Sequence, residues 1–202
     1  MEDPSFTTLS SKRIVLRRFQ EEDAEAFAQY RSDPHVARYQ GWQIPYSIDK
    51  ARGLIEALRE ATPGEPGSWF QFAVELQQTG QIIGDCALRC SRREPRQAEL
   101  GFTFAKAHQR KGYASEAVQR LLQYAFTKLA LNRVFAITHD ENKAARRLLE
   151  RAGFREEGHF LQSVRFEGEW AGELQYAQLQ EEWENSTEPY RDIGYEIFSR
   201  HR

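Results

Sequence analysis

The segment His108-Gln109-Arg110-Lys111-Gly112-Tyr113-Ala114 sets two cations and a glycine directly before a long apolar repeat. Downstream, Ala114, Ala117, Val118, Leu121, Leu122, Ala125, Phe126 and Leu129 recur at i, i+3, i+4, i+7, the spacing of a helix with one buried face. The glycine and its basic neighbours therefore stand at a helix N-terminus. The first backbone N–H groups there lack intrahelical acceptors and the macrodipole is positive, so the place suits an anion, and phosphate above all. Three phosphate-binding patterns compete. A Walker A loop needs G-x-x-x-x-G-K-[ST], but Lys111 precedes its glycine and no glycine stands at the required distance upstream. A dinucleotide fingerprint, G-x-G-x-x-G after a first strand, is absent. What remains is Q/R-x-x-G-x-G/A at a strand-to-helix turn, met by Gln109, Gly112 and Ala114. Small residues there let successive amides close on a pyrophosphate, while Arg110 and Lys111 add charge. An ordinary capped helix presents the same short pattern by chance.

Other chemistry-bearing residues divide into candidates and bystanders. Glu99 lies in "AELGF", where strand alternation puts it on one face with Gly101 and Thr103. A carboxylate there can take a proton from an amine through water, hold a cationic amine, or stand in a structural ion pair. Cys86 and Cys90 fall four apart in an apparent strand, on one face but too far apart for an easy bridge. They read as buried thiols in a reducing cytoplasm, and Cys86 has no sequence-local partner for a nucleophilic role. His35, His108, His139, His159 and His201 show no metal-ligand spacing, so no metal is expected. Glu167, Glu169 and Glu173 surround a hairpin; they read as a solvated face, or as acids that attract a cationic acceptor.

The elements that must position these residues are legible from periodicity. A strand is expected over Arg13 to Phe19, then an acid-led helix, "EEDAEAFAQYRSD", stopping before Pro34. A second helix is capped by Ser47, striped by Ile48, Ala51, Ile55 and Leu58, and ended by the cluster Pro63 to Gly67. Period-two strands follow at Phe70 to Leu76 and Ile82 to Leu88, then "SRREPRQ" as a solvated connection, then a strand from Ala98 to Ala105. That strand runs into the anion motif and its helix. Arg133 to His139 reads as a buried parallel strand. "DENKAARRLLERAGF" reads as a helix capped by Asp140 or Asn142, with Ala145, Leu148, Leu149 and Ala152 as its stripe and Gly153 as its left-handed end. Phe160 to Phe166 and Trp170 to Leu179 flank a turn at Glu167-Gly168. The order gives an α/β (α+β) fold around a mixed sheet, parallel near its β-α-β centre.

With 202 residues, 40% of them hydrophobic, and a net charge of −2, the chain fits one domain and argues against general nucleic-acid binding. No apolar run approaches a membrane span, and the N-terminus lacks a secretory layout. A cytoplasmic protein with no membrane partner is expected. One domain is placed at 1–183, followed by a tail at 184–202 that is either a docked terminal helix or partly disordered.

The hairpin "GQIIGDCALR", the strand "AELGFTF", the motif "HQRKGYASEAV" and the helix "HDENKAARRLLERAGF" follow one another in order. With the opening "SKRIVLRRFQEEDAEAFAQYRSDPHVARY" and the closing "GFREEGHFLQSVRFEGEWAGELQYAQL", they resemble the GNAT (general N-acetyltransferase) superfamily, specifically its RimJ/RimL-like branch. The resemblance covers residues 10 to 183. It implies the GNAT fold, with helices on both faces of the sheet, and acetyl-coenzyme A (acetyl-CoA) as cosubstrate in a V-shaped splay. It implies that the backbone of Phe102, Thr103 and Phe104 pairs with the pantetheine arm, that Gln109, Arg110, Lys111, Gly112, Tyr113 and Ala114 hold the pyrophosphate, and that Asn142 contacts the cofactor. It implies acetyl transfer to an amine acceptor, either a protein N-terminus or a small molecule, and it admits a homodimer. Glu99 is the expected catalytic residue. The chain departs from the family where a proton donor is usual: Leu149 stands at the tyrosine position and Ala145 at the serine position. Two readings therefore stand beside the acetyltransferase, an acyl-CoA-binding module without catalysis and transfer of a larger acyl group such as succinyl.

Overall fold

The computed structural model describes residues 2–166 and 168–186. Eight strands form one sheet: β1 (Thr8–Ser10), β2 (Ile14–Arg17), β3 (Trp69–Leu76), β4 (Ile82–Cys90), β5 (Gln97–Phe104), β6 (Arg133–His139), β7 (Arg155–Phe166) and β8 (Glu169–Leu179). Their spatial order is β1-β2-β3-β4-β5-β6-β8-β7, and every neighbouring pair is antiparallel except β5–β6. The parallel step is the one that needs a crossover, supplied by α4 (Tyr113–Thr127).

Alternation along the strands sorts the two faces. Phe72, Cys86, Leu88, Leu100 and Val134 share a core with Val118, Leu121 and Leu122 of α4 and with Leu149 of α5 (Lys143–Arg151). The opposite face takes α1 (Ala24–Ser32), α2 (Pro34–Ala37) and α3 (Ile48–Arg59), whose own cluster centres on Phe27, Tyr30 and Ile55. Ser47 caps α3 as expected, accepting from Lys50 N–H (3.2 Å). Cys86 and Cys90 are buried free thiols.

Four elements exceed the sequence expectation. β1 is only three residues long and α2 only four, too short to show a period. β7 begins at Arg155, five residues before the expected strand, because its polar stretch Arg155-Glu156-Glu157 is held by pairing with β8 rather than by an apolar face. Finally, α6 (Gln180–Asn185) straddles the expected tail boundary, and its Trp183 packs on Phe126 with ring centroids 5.6 Å apart. Glu167 of the expected turn and positions 187–202 of the tail lie outside the described residues.

Candidate active site

The site begins with a failure of pairing. β5 and β6 are in register only at Gln97↔Arg133, Ala98↔Val134 and Glu99↔Phe135. Beyond Glu99 they diverge, although β5 stays paired with β4 as far as Phe104 and β6 with β8 as far as His139. The edge of β5 facing β6 thus has no strand beside it from Leu100 onward. A cavity of about 300 Å³ lies in this wedge, walled by Leu100, Gly101 and Phe102 on one side and by Ala136 to His139 on the other. Asn142, Ala145 and Leu149 close it from α5, and Tyr39, Phe166 and Glu173 reach it from elsewhere. The two positions on α5 that face the wedge, Ala145 and Leu149, carry no dissociable proton. Asn142 caps α5, its Oδ1 accepting from Ala145 N–H (3.1 Å), while its side chain also lines the cavity. Phe102 lines the wedge, Phe104 is buried in the core, and Thr103 is buried on the other face opposite Asp85.

The anion motif has the geometry that its residue types imply. Arg110 and Gly112 both adopt left-handed backbone (φ 60° and 82°), and Gly112 is the N-cap of α4. The first helical bond runs from Glu116 N–H to Gly112 O (3.1 Å). Among the described residues, the amides of Arg110 through Ser115 find no acceptor in the protein. Such a run of unspent donors at a positive helix end costs free energy unless water or an anion meets it. Gln109 has a different job. Its N–H bonds Lys106 O (3.3 Å) and its Nε2–H bonds Phe104 O (2.9 Å), which ties the loop to the end of β5. Sequence reasoning missed Arg13. Its Nη1–H donates to Lys111 O (3.0 Å), its Nε–H to Glu116 Oε2 (2.6 Å), and its guanidinium stacks 4.6 Å from the Tyr113 ring centroid. Burial alone would raise the Glu116 carboxyl, but hydrogen bonds from Ser11 and Arg13 overcome it and hold the group below its usual range.

On the face opposite α4, Glu99 is ion-paired with Arg89 of β4, and Arg89 in turn lies 4.9 Å over the Trp69 ring. The Glu99 side chain is mostly buried, at 17% exposure, two residues from the cavity wall at Gly101. Gln71 on the same face buries its Oε1 without a hydrogen-bond partner.

At the mouth of the wedge the sequence offered Glu173 only as one of three hairpin acids that could attract a cation. His139 ends β6 with Tyr39 against it (centroids 4.9 Å apart) and the Phe166 edge at 5.4 Å. Glu173 stands opposite His139 in register, and Ser163 Oγ–H donates to its Oε2 (2.9 Å). His139 Nδ1 accepts from Glu141 N–H (3.1 Å) and lies 3.2 Å from Asp140 Oδ1. Asp140 Oδ2 lies 3.2 Å from His159 Nε2. Among the described residues no group of three or more His, Cys, Asp or Glu side chains could hold a metal ion. No described helix is long and apolar enough to cross a membrane.

A wedge between two diverging parallel strands, flanked by a helix whose first amides are unspent, suits an extended ligand with an anionic end. Residues 13–155 match the family model described as "Acetyltransferase (GNAT) domain". The uncharacterized N-acetyltransferase p20 of Bacillus licheniformis is 35% identical over 151 residues, 75% of this chain and 84% of that one. A GNAT-family acetyltransferase from Bacillus anthracis has a crystal structure matching with a TM-score of 0.78 at 29% identity, over 87% of this chain and 99% of that one. Mycobacterium smegmatis RimJ, solved in complex with CoA-disulfide, shares the fold at 23% identity with a TM-score of 0.73, over 88% and 91% of the two chains. The chain belongs to the GNAT family and is an N-acetyltransferase.

Proposed function

We propose that the protein transfers an acetyl group directly from acetyl-CoA to a primary amine, within one domain that spans residues 1–183. The observation that carries this is the wedge itself, together with the unspent amides from Arg110 to Ser115 at its open end. A pyrophosphate satisfies those donors, and the unpaired edge of β5 at Phe102 to Phe104 receives the pantetheine amides as an added strand would. When bound, acetyl-CoA supplies the activated acyl group.

The chain's own residues have three tasks. An alkyl amine is protonated at neutral pH, so a group must take its proton; Glu99 does so through water, with Arg89 fixing the carboxylate. The departing thiol has a pKa of ~8.5, so its sulfur tolerates negative charge until water reprotonates it; Ala145 and Leu149 donate nothing. No covalent relay through the protein is used. Burial pushes the Cys86 thiol well above its ordinary range and the charge of Asp85 adds to this, which leaves the sulfur protonated and inert.

Acetyl is favoured over succinyl because the cavity's arginine is already engaged. Arg165 lines the wedge, but its guanidinium lies 4.5 Å over the Trp170 ring and its Nη1–H bonds Gly168 O (2.8 Å). A release assay for free thiol, run with acetyl- and succinyl-CoA across amines, peptides and aminoglycosides, tests the reading. Amine-dependent release from acetyl-CoA is expected, and thiol release indifferent to amine would sink it.

A further inference from the structure

Three aromatic rings and one carboxylate meet at the mouth of the wedge, on the far side from the helix that closes it. Tyr39, His139 and Phe166 are mutual neighbours, with centroid separations of 4.9, 5.4 and 6.5 Å. All three line the cavity, as does Glu173. Among the described residues no cation lies within ion-pair distance of Glu173. The arginine nearest in the lining, Arg165, is turned onto Trp170. The hydroxyl of Ser163 orients the carboxylate without neutralising it. Arg38 already lies over the Tyr39 ring, 5.0 Å from its centroid, and that leaves Phe166 and an acid without an ion-pair partner as the chemistry that recognises an organic cation.

We infer that this corner binds a second, persistently cationic group of the acceptor, so that the substrate is an amine carrying another positive charge. The inference rests on the acetyltransferase reading above and names the acceptor class within it. The reacting nitrogen is a poor occupant for such a corner. It must lose its proton to attack, and a site that stabilises its cation opposes that loss. A second charge carries no such conflict and can stay bound throughout. The position also fits. His139 lies three residues along β6 from Ala136, roughly 10 Å at strand rise, and Ala136 and Leu100 both line the wedge just past the last paired residues Glu99 and Phe135. That is the span of a short diamine, or of an N-terminal amine and a nearby basic side chain in a peptide. The shared chemistry is the distal cation.

The test compares matched primary amines. One carries a distal trimethylammonium, which cannot be acetylated, and its partner carries a neutral tert-butyl group of the same shape. The expected result is a kcat/KM at least tenfold higher for the cation, with the ratio falling towards one in Glu173→Gln and in Phe166→Leu. Glu169→Gln, an exposed hairpin acid outside the cavity, controls for general surface charge and keeps the ratio. Lysine-bearing and neutral peptides, run beside the small amines, separate a polypeptide source of the cation from a small-molecule one. Equal kcat/KM for the two amines in the wild type, or a ratio unmoved by Glu173→Gln, would overturn the inference while leaving the transferase intact. Should no amine release thiol, the transferase reading fails. The cation corner is then read directly by titrating the protein with tetramethylammonium. Saturable binding lost in Glu173→Gln upholds it, and no binding overturns it.

Discussion

Glu99 and Gly112 show how differently two site residues depend on their surroundings. Glu99→Gln keeps shape and removes both basicity and charge, so turnover at neutral pH is expected to fall by ~10²-fold or more if the carboxylate takes the amine's proton. Affinity for CoA is expected to stay nearly unchanged, because Glu99 stands on the face opposite the helix that closes the wedge. A variant with wild-type turnover would reduce Glu99 to the partner of Arg89. Gly112 acts through backbone alone. Its φ of 82° is one that L side chains rarely adopt, and a Cβ there would come within 3.2 Å of Arg13 Nη2. Gly112→Leu is expected to weaken CoA at least tenfold, ~1.4 kcal/mol, in isothermal titration, and unchanged affinity would displace the pyrophosphate from this loop. Gly112 was legible in the sequence because a glycine before a helical repeat is a local signal. Glu173 was legible only as one of three hairpin acids that could attract a cation, because its place in the wedge follows from register with His139 across β6 and β8.

Among the elements, the long periodic ones were readable, and the pieces held by partners were not. α4 has fifteen residues with one apolar face, and its expected stripe is the buried one. β1 and α2 are fixed instead by what they touch, and the loop after α2 brings Tyr39 to the cavity. That loop is anchored by a buried group in α1 that no periodicity reveals. The Arg31 guanidinium is sandwiched between Phe27 and Trp42, at 4.2 and 4.1 Å, and Trp42 Nε1–H donates to Arg31 O (3.0 Å). Its counter-ion is Asp85 of β4 (3.4 Å), which also accepts from the Tyr30 hydroxyl (2.6 Å). Both ionic side chains are nearly out of solvent, at 7% and 2% exposure. Removing one partner strands the other charge, which typically costs about 3–5 kcal/mol. Asp85→Ala is therefore expected to lower the urea midpoint by that equivalent. The paired variant Asp85→Ala/Arg31→Met is expected to recover much of the loss. Equal destabilisation by the single and double variants would mean that packing, rather than charge, holds α1 to the sheet.

For the molecule as a whole, the wedge works only if its apex stays shut, and the apex is pinned by charge. β5 and β6 first pair at Gln97↔Arg133, and Arg133 N–H also bonds Arg96 O (3.2 Å). The Arg133 guanidinium grips Glu157 of β7 with both Nη groups, and Arg155 Nη2–H donates to the same carboxylate (2.6 Å). One acid thus ties β6 to β7 across β8. The hydrogen bonds from Arg133, opposed by burial and aided by the charges of Arg133 and Arg155, bring the Glu157 carboxyl down to about 2. In the unfolded chain a glutamate titrates near ~4.3. Between those values the unfolded state binds the proton and the folded state does not, so stability falls as pH falls. The contribution is complete above the unfolded value and gone below about 2. Asp3 and Glu116, also held low, add in the same direction at the other edge of the sheet and in the first turn of α4. Burial raises Asp85 against the pull of Arg31 and Tyr30, and it works in the opposite sense above its unfolded value. The Glu157 side chain is 24% exposed, and solvent screening keeps its share modest. Urea midpoints measured from pH 7 down to pH 2 are expected to show wild type and Glu157→Gln converging below pH ~4.3, where protonation does to the wild type what the substitution does permanently. If the two curves stayed parallel across that window, the apex would be held by strand pairing alone, and the ion network would be an ornament of the surface.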